Sequence, residues 1–128
     1  MPKRILQVIE SAYRGTLEEQ DDTVLWVTHA LQGAGGQFGV LLRGNAVNYA
    51  VRGQDASGLA FGAKRQTQPP RLEDDVAKLL GKGVEVAYVE EDAAERGITP
   101  ADLIEGVRAV RARELPQLLE AFDQVWHW

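Results

Sequence analysis

The chain has 128 residues, 45% hydrophobic and 26% charged, which is the composition of one soluble globular domain spanning residues 1–128. It has no cysteine and two histidines, which excludes disulfides, thiolate metal sites and thiol nucleophiles, so we expect neither metal nor cofactor. The net charge of −5 gives no basic surface for nucleic acid. Because no apolar run could span a bilayer or form a signal-peptide core, we expect a cytoplasmic protein without a membrane partner.

Short apolar runs, some of them rich in β-branched residues, predict five β-strands. These runs are residues 5–9, 38–42, 84–89, 106–111 and 123–128. Several are apolar almost without interruption, which is typical of strands buried on both faces of a parallel sheet.

Helical patterns separate most of these strands. Thr16 and Glu19 form a capping-box pattern, which predicts a helix start at Thr16. Its apolar stripe is expected at Val24, Leu25, Val27 and Leu31, before glycines that favour a helix end. Further helical signals are a short helix within 44–51, a stripe at Leu72, Val76, Leu79 and Leu80, a start at Thr99–Pro100, and a stripe at Leu115, Leu118, Leu119 and Phe122.

Residues 53–70 show no clear periodicity, so the sequence predicts a long loop there, of a kind that is usually functional or mobile. The alternation of strands and helices elsewhere predicts an α/β sandwich around a mostly parallel five-stranded sheet.

Two glycine-rich segments do not match phosphate-binding motifs. Gly33, Gly35 and Gly36 follow a helix and precede a strand, the reverse of a dinucleotide-binding turn. The segment 58–64 lacks the spacing and the final hydroxyl of a P-loop. We therefore predict no nucleotide site at either segment.

Polar residues follow the predicted strands, and ligands of open parallel sheets bind at this carboxyl edge. The sequence therefore predicts a polar crevice there, and carboxylates gathered in it could serve as acid and base. The candidate ligand-binding residues are Glu10, Ser11, Arg43, Asn45, Val89 and Glu90, with Arg111 and His127 at the same edge.

Trp126 and Trp128 lie two residues apart on the last predicted strand and so share one face of it. If that strand is at the edge of the sheet, the two aromatic side chains need cover. Either helices of the same chain or a second subunit could provide it.

The order of segments resembles the DsrE/DsrF-like family, which includes the sulfur-relay TusBCD subunits. Residues 38–47 resemble the family's strand and polar-Gly-Val turn. Residues 81–89 followed by 95–98 resemble its Gly-Val, strand, cysteine and Arg-Gly-Ile block, and residues 123–126 its C-terminal Asp-x-Val strand. The resemblance covers essentially the whole chain.

The resemblance implies a three-layer α/β/α domain with strand order 4-3-2-1-5 that assembles into dimers, trimers or larger rings. In the sulfur-carrying members, a cysteine near the end of the third strand accepts sulfur as a persulfide. The matching position here is Val89, and no other cysteine replaces it. The fold is therefore expected to carry over without the sulfurtransferase chemistry.

We favour a non-catalytic, homo-oligomeric DsrE-like protein that binds a small ligand or a partner protein, with a link to sulfur metabolism implied by the resemblance. One alternative is a small enzyme that uses Glu10, Arg43 and Glu90 for acid–base or anion chemistry. Another is a structural subunit of a sulfur-relay complex that presents acidic residues to a basic partner.

Overall fold

The computed structural model describes residues 3–12, 22–55, 57–69 and 71–128. Its main sheet has five strands, all parallel, which are β1 (Arg4–Ile9), β2 (Gln37–Leu42), β5 (Glu85–Val89), β6 (Arg108–Val110) and β7 (Gln124–His127). They lie in the order β6-β5-β2-β1-β7. Numbered among themselves, these strands have the order 4-3-2-1-5, so the predicted α/β fold and strand order are confirmed.

The two faces of this sheet are covered by different amounts of structure. Face A, defined by Gln7, Val40 and Val86, is covered by α1 (Thr23–Gly33), a 3-10 helix (Gly44–Ala50), α2 (Leu72–Gly81) and α3 (Glu90–Glu95). Face B, defined by Leu6, Leu41 and Ala87, is covered by the six-residue α4 (Leu115–Glu120), which a 3-10 turn (Ala112–Glu114) precedes, and by Phe122. Strand residues alternate between the two cores, as the pleat of a strand requires.

The described part of the first helix, α1, begins at Thr23. Asp22 is the N-cap, and its Oδ2 accepts hydrogen bonds from the amides of Val24 and Leu25 at 2.9 and 3.0 Å. Thr16, the predicted start, lies outside the described residues. The buried side of α1 is formed by Val24, Leu25 and Thr28, whereas Leu31, predicted to be buried, is exposed.

Two elements were missed in the sequence. The predicted loop at 53–70 contains a hairpin of β3 (Ala60–Phe61) and β4 (Lys64–Arg65), whose strands are each two residues long and exposed. Helix α3 follows β5 directly and starts with three acidic side chains, which suit the positive end of a helix dipole. Ala93 is the one buried residue among the six of this helix, so the sequence contains no apolar stripe from which the helix could be predicted.

The helix start at Thr99 is present as a single turn. A 3-10 turn (Pro100–Asp102) carries a capping box in which Asp102 Oδ2 accepts hydrogen bonds from the amide and hydroxyl of Thr99 at 2.8 and 2.9 Å. Among the described residues, none of the helices is long and apolar enough to cross a membrane.

Candidate functional site

Three charged or ionisable side chains meet at the carboxyl ends of β1, β2 and β7. Glu10 Oε1 lies 3.1 Å from Arg43 Nε and 3.2 Å from His127 Nε2. One carboxylate oxygen therefore holds a guanidinium and an imidazole together. We call these three residues the Glu10 cluster. Each of the three side chains is about half exposed, so the cluster is open to solvent.

The sheet itself brings the cluster together. The strand ladder continues past the last residues of β1 and β2, because the Arg43 amide donates to the Ile9 carbonyl and the Glu10 amide to the Trp128 carbonyl, both at 3.0 Å. Alternation along each strand then places Glu10, Arg43 and His127 on face B. The backbone beneath the cluster is thus fixed by the central hydrogen bonds of the fold.

A second charged pair lies at the ends of β5 and β6. Glu90 Oε2 is 3.7 Å from Arg111 Nε, and both side chains are about half exposed. Burial raises the pKa of Tyr88, and the negative charge of Glu90 raises it further, so the phenol stays neutral near pH 7. Glu90 is therefore paired with Arg111, and among the described residues it forms no ion pair with Arg43, which the acid–base alternative needs beside it and Glu10.

Asn45 belongs to a third group, which the sequence did not predict. Its Oδ1 accepts hydrogen bonds from Arg96 Nε at 3.1 Å and from Arg96 Nη2 at 3.0 Å. The amide of Gly44 donates to Asp92 Oδ2 at 2.8 Å, and Arg96 also donates to the Asp92 carbonyl at 3.0 Å. These bonds fasten α3 to the turn after β2. Asn45 is therefore engaged in joining two elements.

The two remaining candidate residues are placed apart from the charged groups. Val89 is only 3% exposed and packs within the face B core. Ser11 is exposed, and its carbonyl lies 3.4 Å from the Tyr49 hydroxyl, a long contact. Among the predicted residues, the structure thus joins Glu10 with Arg43, pairs Glu90 and Asn45 with other partners, and buries Val89.

A buried polar chain connects the last strand to α1. Trp128 Nε1 donates to Gln7 Oε1 at 2.8 Å, Gln7 Nε2 donates to Thr28 Oγ1 at 3.1 Å, and Thr28 Oγ1 donates to the Val24 carbonyl at 2.8 Å. Gln7 and Thr28 are both fully buried. Each hydrogen bond removes a cost that an unpaired polar atom would impose in the core.

The aromatic pair predicted on the last strand is partly covered by its own chain. Trp126 is half-buried and meets Phe38 edge to face, with ring centroids 5.9 Å apart. Trp128 remains 41% exposed despite its hydrogen bond to Gln7, and Val125, which precedes Trp126, is 45% exposed. Intramolecular cover therefore accounts for only part of this apolar surface.

Acidic and basic groups alternate along the carboxyl edge, which limits its chemistry. Within the described residues, no group of three or more histidine, aspartate or glutamate side chains is arranged to hold a metal ion. The Glu10 cluster combines one carboxylate with one permanent and one protonatable cation. Such a group can bind a small anion through charge-assisted hydrogen bonds.

Comparison with solved structures identifies proteins of the same fold. The ychN protein from E. coli matches with a TM-score of 0.72 and 22% identity over 100% of both chains. MTH1491, a protein of unknown function from Methanobacterium thermoautotrophicum, matches with a TM-score of 0.66 and 16% identity over 98% of this chain and 99% of its own. No protein-family model matches the sequence, and no curated protein matches it significantly. The chain therefore has the DsrE-like α/β fold.

Proposed function

We propose that this protein is a non-catalytic DsrE-fold binding protein that takes a small anion at the Glu10 cluster. The convergence of Arg43 and His127 on one Glu10 oxygen is the observation that carries this proposal. Glu10 orients both groups, while the guanidinium keeps further N–H donors that point away from that contact. An oxyanion or carboxylate that meets these donors gains charge-assisted hydrogen bonds from a preorganised pair.

A binding role without sulfur transfer follows from the residue at the end of β5. A persulfide requires a thiol, and the chain has none. The family resemblance puts the sulfur-carrying position at Val89, whose side chain is buried against face B. The link to sulfur metabolism in this proposal is therefore a ligand, such as a sulfur oxyanion, bound without a covalent bond.

Binding of thiosulfate, with phosphate as a second probe, tests the site directly. Trp128 follows His127 in the chain, so its fluorescence can report ligand binding, with calorimetry as an independent measurement. Arg43→Gln should weaken thiosulfate binding by at least about tenfold, which corresponds to about 1.4 kcal/mol for a lost charge-assisted hydrogen bond.

Arg111→Gln is the matched control. Arg111 is also a half-exposed arginine paired with a glutamate at the same edge of the sheet. Its loss should leave thiosulfate affinity unchanged. Equal effects of the two substitutions, or no saturable binding of either probe by the wild type, would contradict the anion site.

Intact mass after incubation with polysulfide tests the non-covalent part of the proposal. We expect the mass of the protein to stay at that of the bare chain. A stable gain of one sulfur atom would show that some other side chain carries sulfur and would overturn this part.

Self-association is a separate part of the proposal. Its support is the apolar surface along β7 and the residue after it, where Val125 is 45% and Trp128 41% exposed although the chain partly covers Trp126. Exposed apolar side chains along one strand are typical of a surface that contacts another protein.

A further inference from the structure

We infer that β7 pairs with β7 of a second copy of this chain, antiparallel, so that two five-stranded sheets become one. This inference deepens the proposed self-association by naming its surface and its symmetry. It does not depend on the anion site.

The outer edge of β7 presents main-chain groups that the sheet does not use. The Trp128 amide donates to the Val8 carbonyl at 2.8 Å, and the Trp128 carbonyl accepts from the Glu10 amide at 3.0 Å. In a parallel ladder, alternate residues point their N–H and C=O to the same side. Trp126 therefore also faces β1, while Val125 and His127 point their N–H and C=O outward.

The opposite edge of the sheet is protected by charge, whereas no described residue protects the β7 edge in this way. β6 has three residues, and its Arg108 forms an ion pair with Glu85 of the neighbouring strand. Charged side chains of this kind discourage pairing with another strand. β7 reads Gln-Val-Trp-His, without lysine, arginine, acidic residue or proline. An edge strand without these protections is a template for pairing.

The hydrogen bonds select one register. With the twofold axis at Trp126, Val125 of each copy forms a hydrogen-bonded pair with His127 of the other, giving about four main-chain hydrogen bonds. A register centred on Val125 would extend to Asp123, whose amide is already bonded to the Arg4 carbonyl at 2.8 Å. The Trp126-centred register is therefore the one in which the outward N–H and C=O groups of Val125 and His127 all form hydrogen bonds.

Side chains on both faces suit the same register. Trp126 faces Trp126 of the second copy on face A, at the closer, non-hydrogen-bonded spacing where aromatic pairs interact well. On face B, the exposed Val125 covers the imidazole of the other copy's His127. Each copy thus covers side chains that the other copy leaves exposed, Trp126 on face A and His127 on face B.

Charge favours a second copy over a basic partner at this strand. The chain carries a net charge of −5, so two copies repel each other over most of their surfaces. β7 has no acidic side chain, so a basic protein gains no ion pair with the strand itself, whereas a second copy meets a strand without like charge. A self-complementary edge without acidic side chains is where two acidic copies can approach closely.

The mass of the protein in solution tests the pairing. Sedimentation equilibrium at micromolar concentration should give twice the 14.1 kDa of the chain. Val125→Lys places a charge at the centre of the pair and should raise the dimer dissociation constant by at least about tenfold. Leu119→Lys is the matched control, because Leu119 is also an exposed apolar residue, on α4. The Leu119→Lys substitution should leave the protein a dimer in the same measurement.

Amide hydrogen exchange gives a second measurement on the wild type, which removes any concern that a variant misfolds. The amides of Val125 and His127 should be protected at high protein concentration and exchange faster on dilution, because no described group of the same chain bonds them and the second copy does. The amide of Trp126 should stay protected at both concentrations, because it is bonded within the chain.

Several outcomes would overturn the pairing. A monomer or a trimer contradicts it, since twofold pairing produces neither, and so does a dimer that Val125→Lys leaves intact. A larger even-numbered assembly supports it only if Val125→Lys halves the mass. Fast exchange of Val125 and His127 at high concentration also contradicts it. Thiosulfate binding by a monomer would leave the proposed anion site standing, so the two failures are distinguishable.

Discussion

The two faces of the sheet differ in how thickly they are covered. Face A lies beneath three helices and a 3-10 helix, and it even encloses the polar chain of Gln7 and Thr28 with every hydrogen bond made. Face B has the short α4, with Leu118 and Phe122 as its main apolar contacts. A deep layer can enclose polar atoms, whereas a thin layer leaves part of its face open.

The candidate site lies on the thinly covered face. Glu10, Arg43 and His127 project on face B at the carboxyl edge, where all three stay half exposed. The same strands therefore carry a thickly covered core on face A and a solvent-accessible ionic cluster on face B.

The largest expected effect comes from two neighbouring leucines of β2. Leu42 faces the face A core and Leu41 the face B core, and both are almost fully buried. Leu42→Ala should lower the free energy of unfolding by about 4 kcal/mol, and Leu41→Ala by about 3 kcal/mol. The difference is expected because a thin layer can move in to fill the cavity, and urea unfolding measures it.

The pair of variants serves as its own control, since residue type, strand and burial are the same. Unchanged dependence of the unfolding free energy on urea would show that the denatured state is not altered. Equal losses, or a larger loss for Leu41→Ala, would contradict the difference between the faces.

A smaller effect is expected from the polar chain inside face A. Thr28→Val removes the acceptor of the Gln7 amide and leaves a buried N–H group unpaired, which should cost about 1–3 kcal/mol. Adding Gln7→Leu removes that orphaned group, so the double variant should be more stable than the sum of the two single losses predicts. Thermal unfolding of the four proteins completes the cycle, and strict additivity would show that the hydrogen bond contributes nothing.

The smallest effect concerns the edge of the face A layer, at the turn that contains Asp102. Hydrogen bonds from the Thr99 amide and then its hydroxyl hold the pKa of Asp102 below its usual 3.8. Because the folded pKa is the lower one, the turn adds stability above about pH 3.8 and loses it as the pH falls through the depressed pKa. Asp102→Asn should flatten this small acid-dependent part of the unfolding curve. An unchanged curve would contradict the prediction.

The strands were predictable and the shortest elements were not. β1, β2 and β5 are mostly apolar runs, which are typical of buried parallel strands. The hairpin has too few residues for any period to appear, and α3 has almost no buried side. The described α1 has Asp22 as its N-cap, whereas the capping pattern of Thr16 and Glu19 lies outside the described residues.

The sequence could predict at which edge of the sheet the candidate site lies, but not which of its side chains pair with one another. Parallel strands bring Glu10, Arg43 and His127 to one edge, which the sequence indicates through the order of its strands. Which side chains pair depends on the face of the sheet that each one occupies and on short elements that the sequence pattern does not predict. Arg96, for example, can donate its hydrogen bonds to Asn45 because α3, which the sequence pattern did not predict, follows β5 directly.

The closeness of Phe122 to Gly39 has a consequence for the order in which the molecule comes apart. A Cβ on Gly39 would lie 2.5 Å from Phe122 Cζ, so the ring rests directly on the backbone of β2. Arg4 lies over the face of this ring, 4.6 Å from its centroid. One aromatic side chain thus fastens a six-residue helix to the sheet. We expect α4 to open first, in a local unfolding event that leaves the helices on the other side in place.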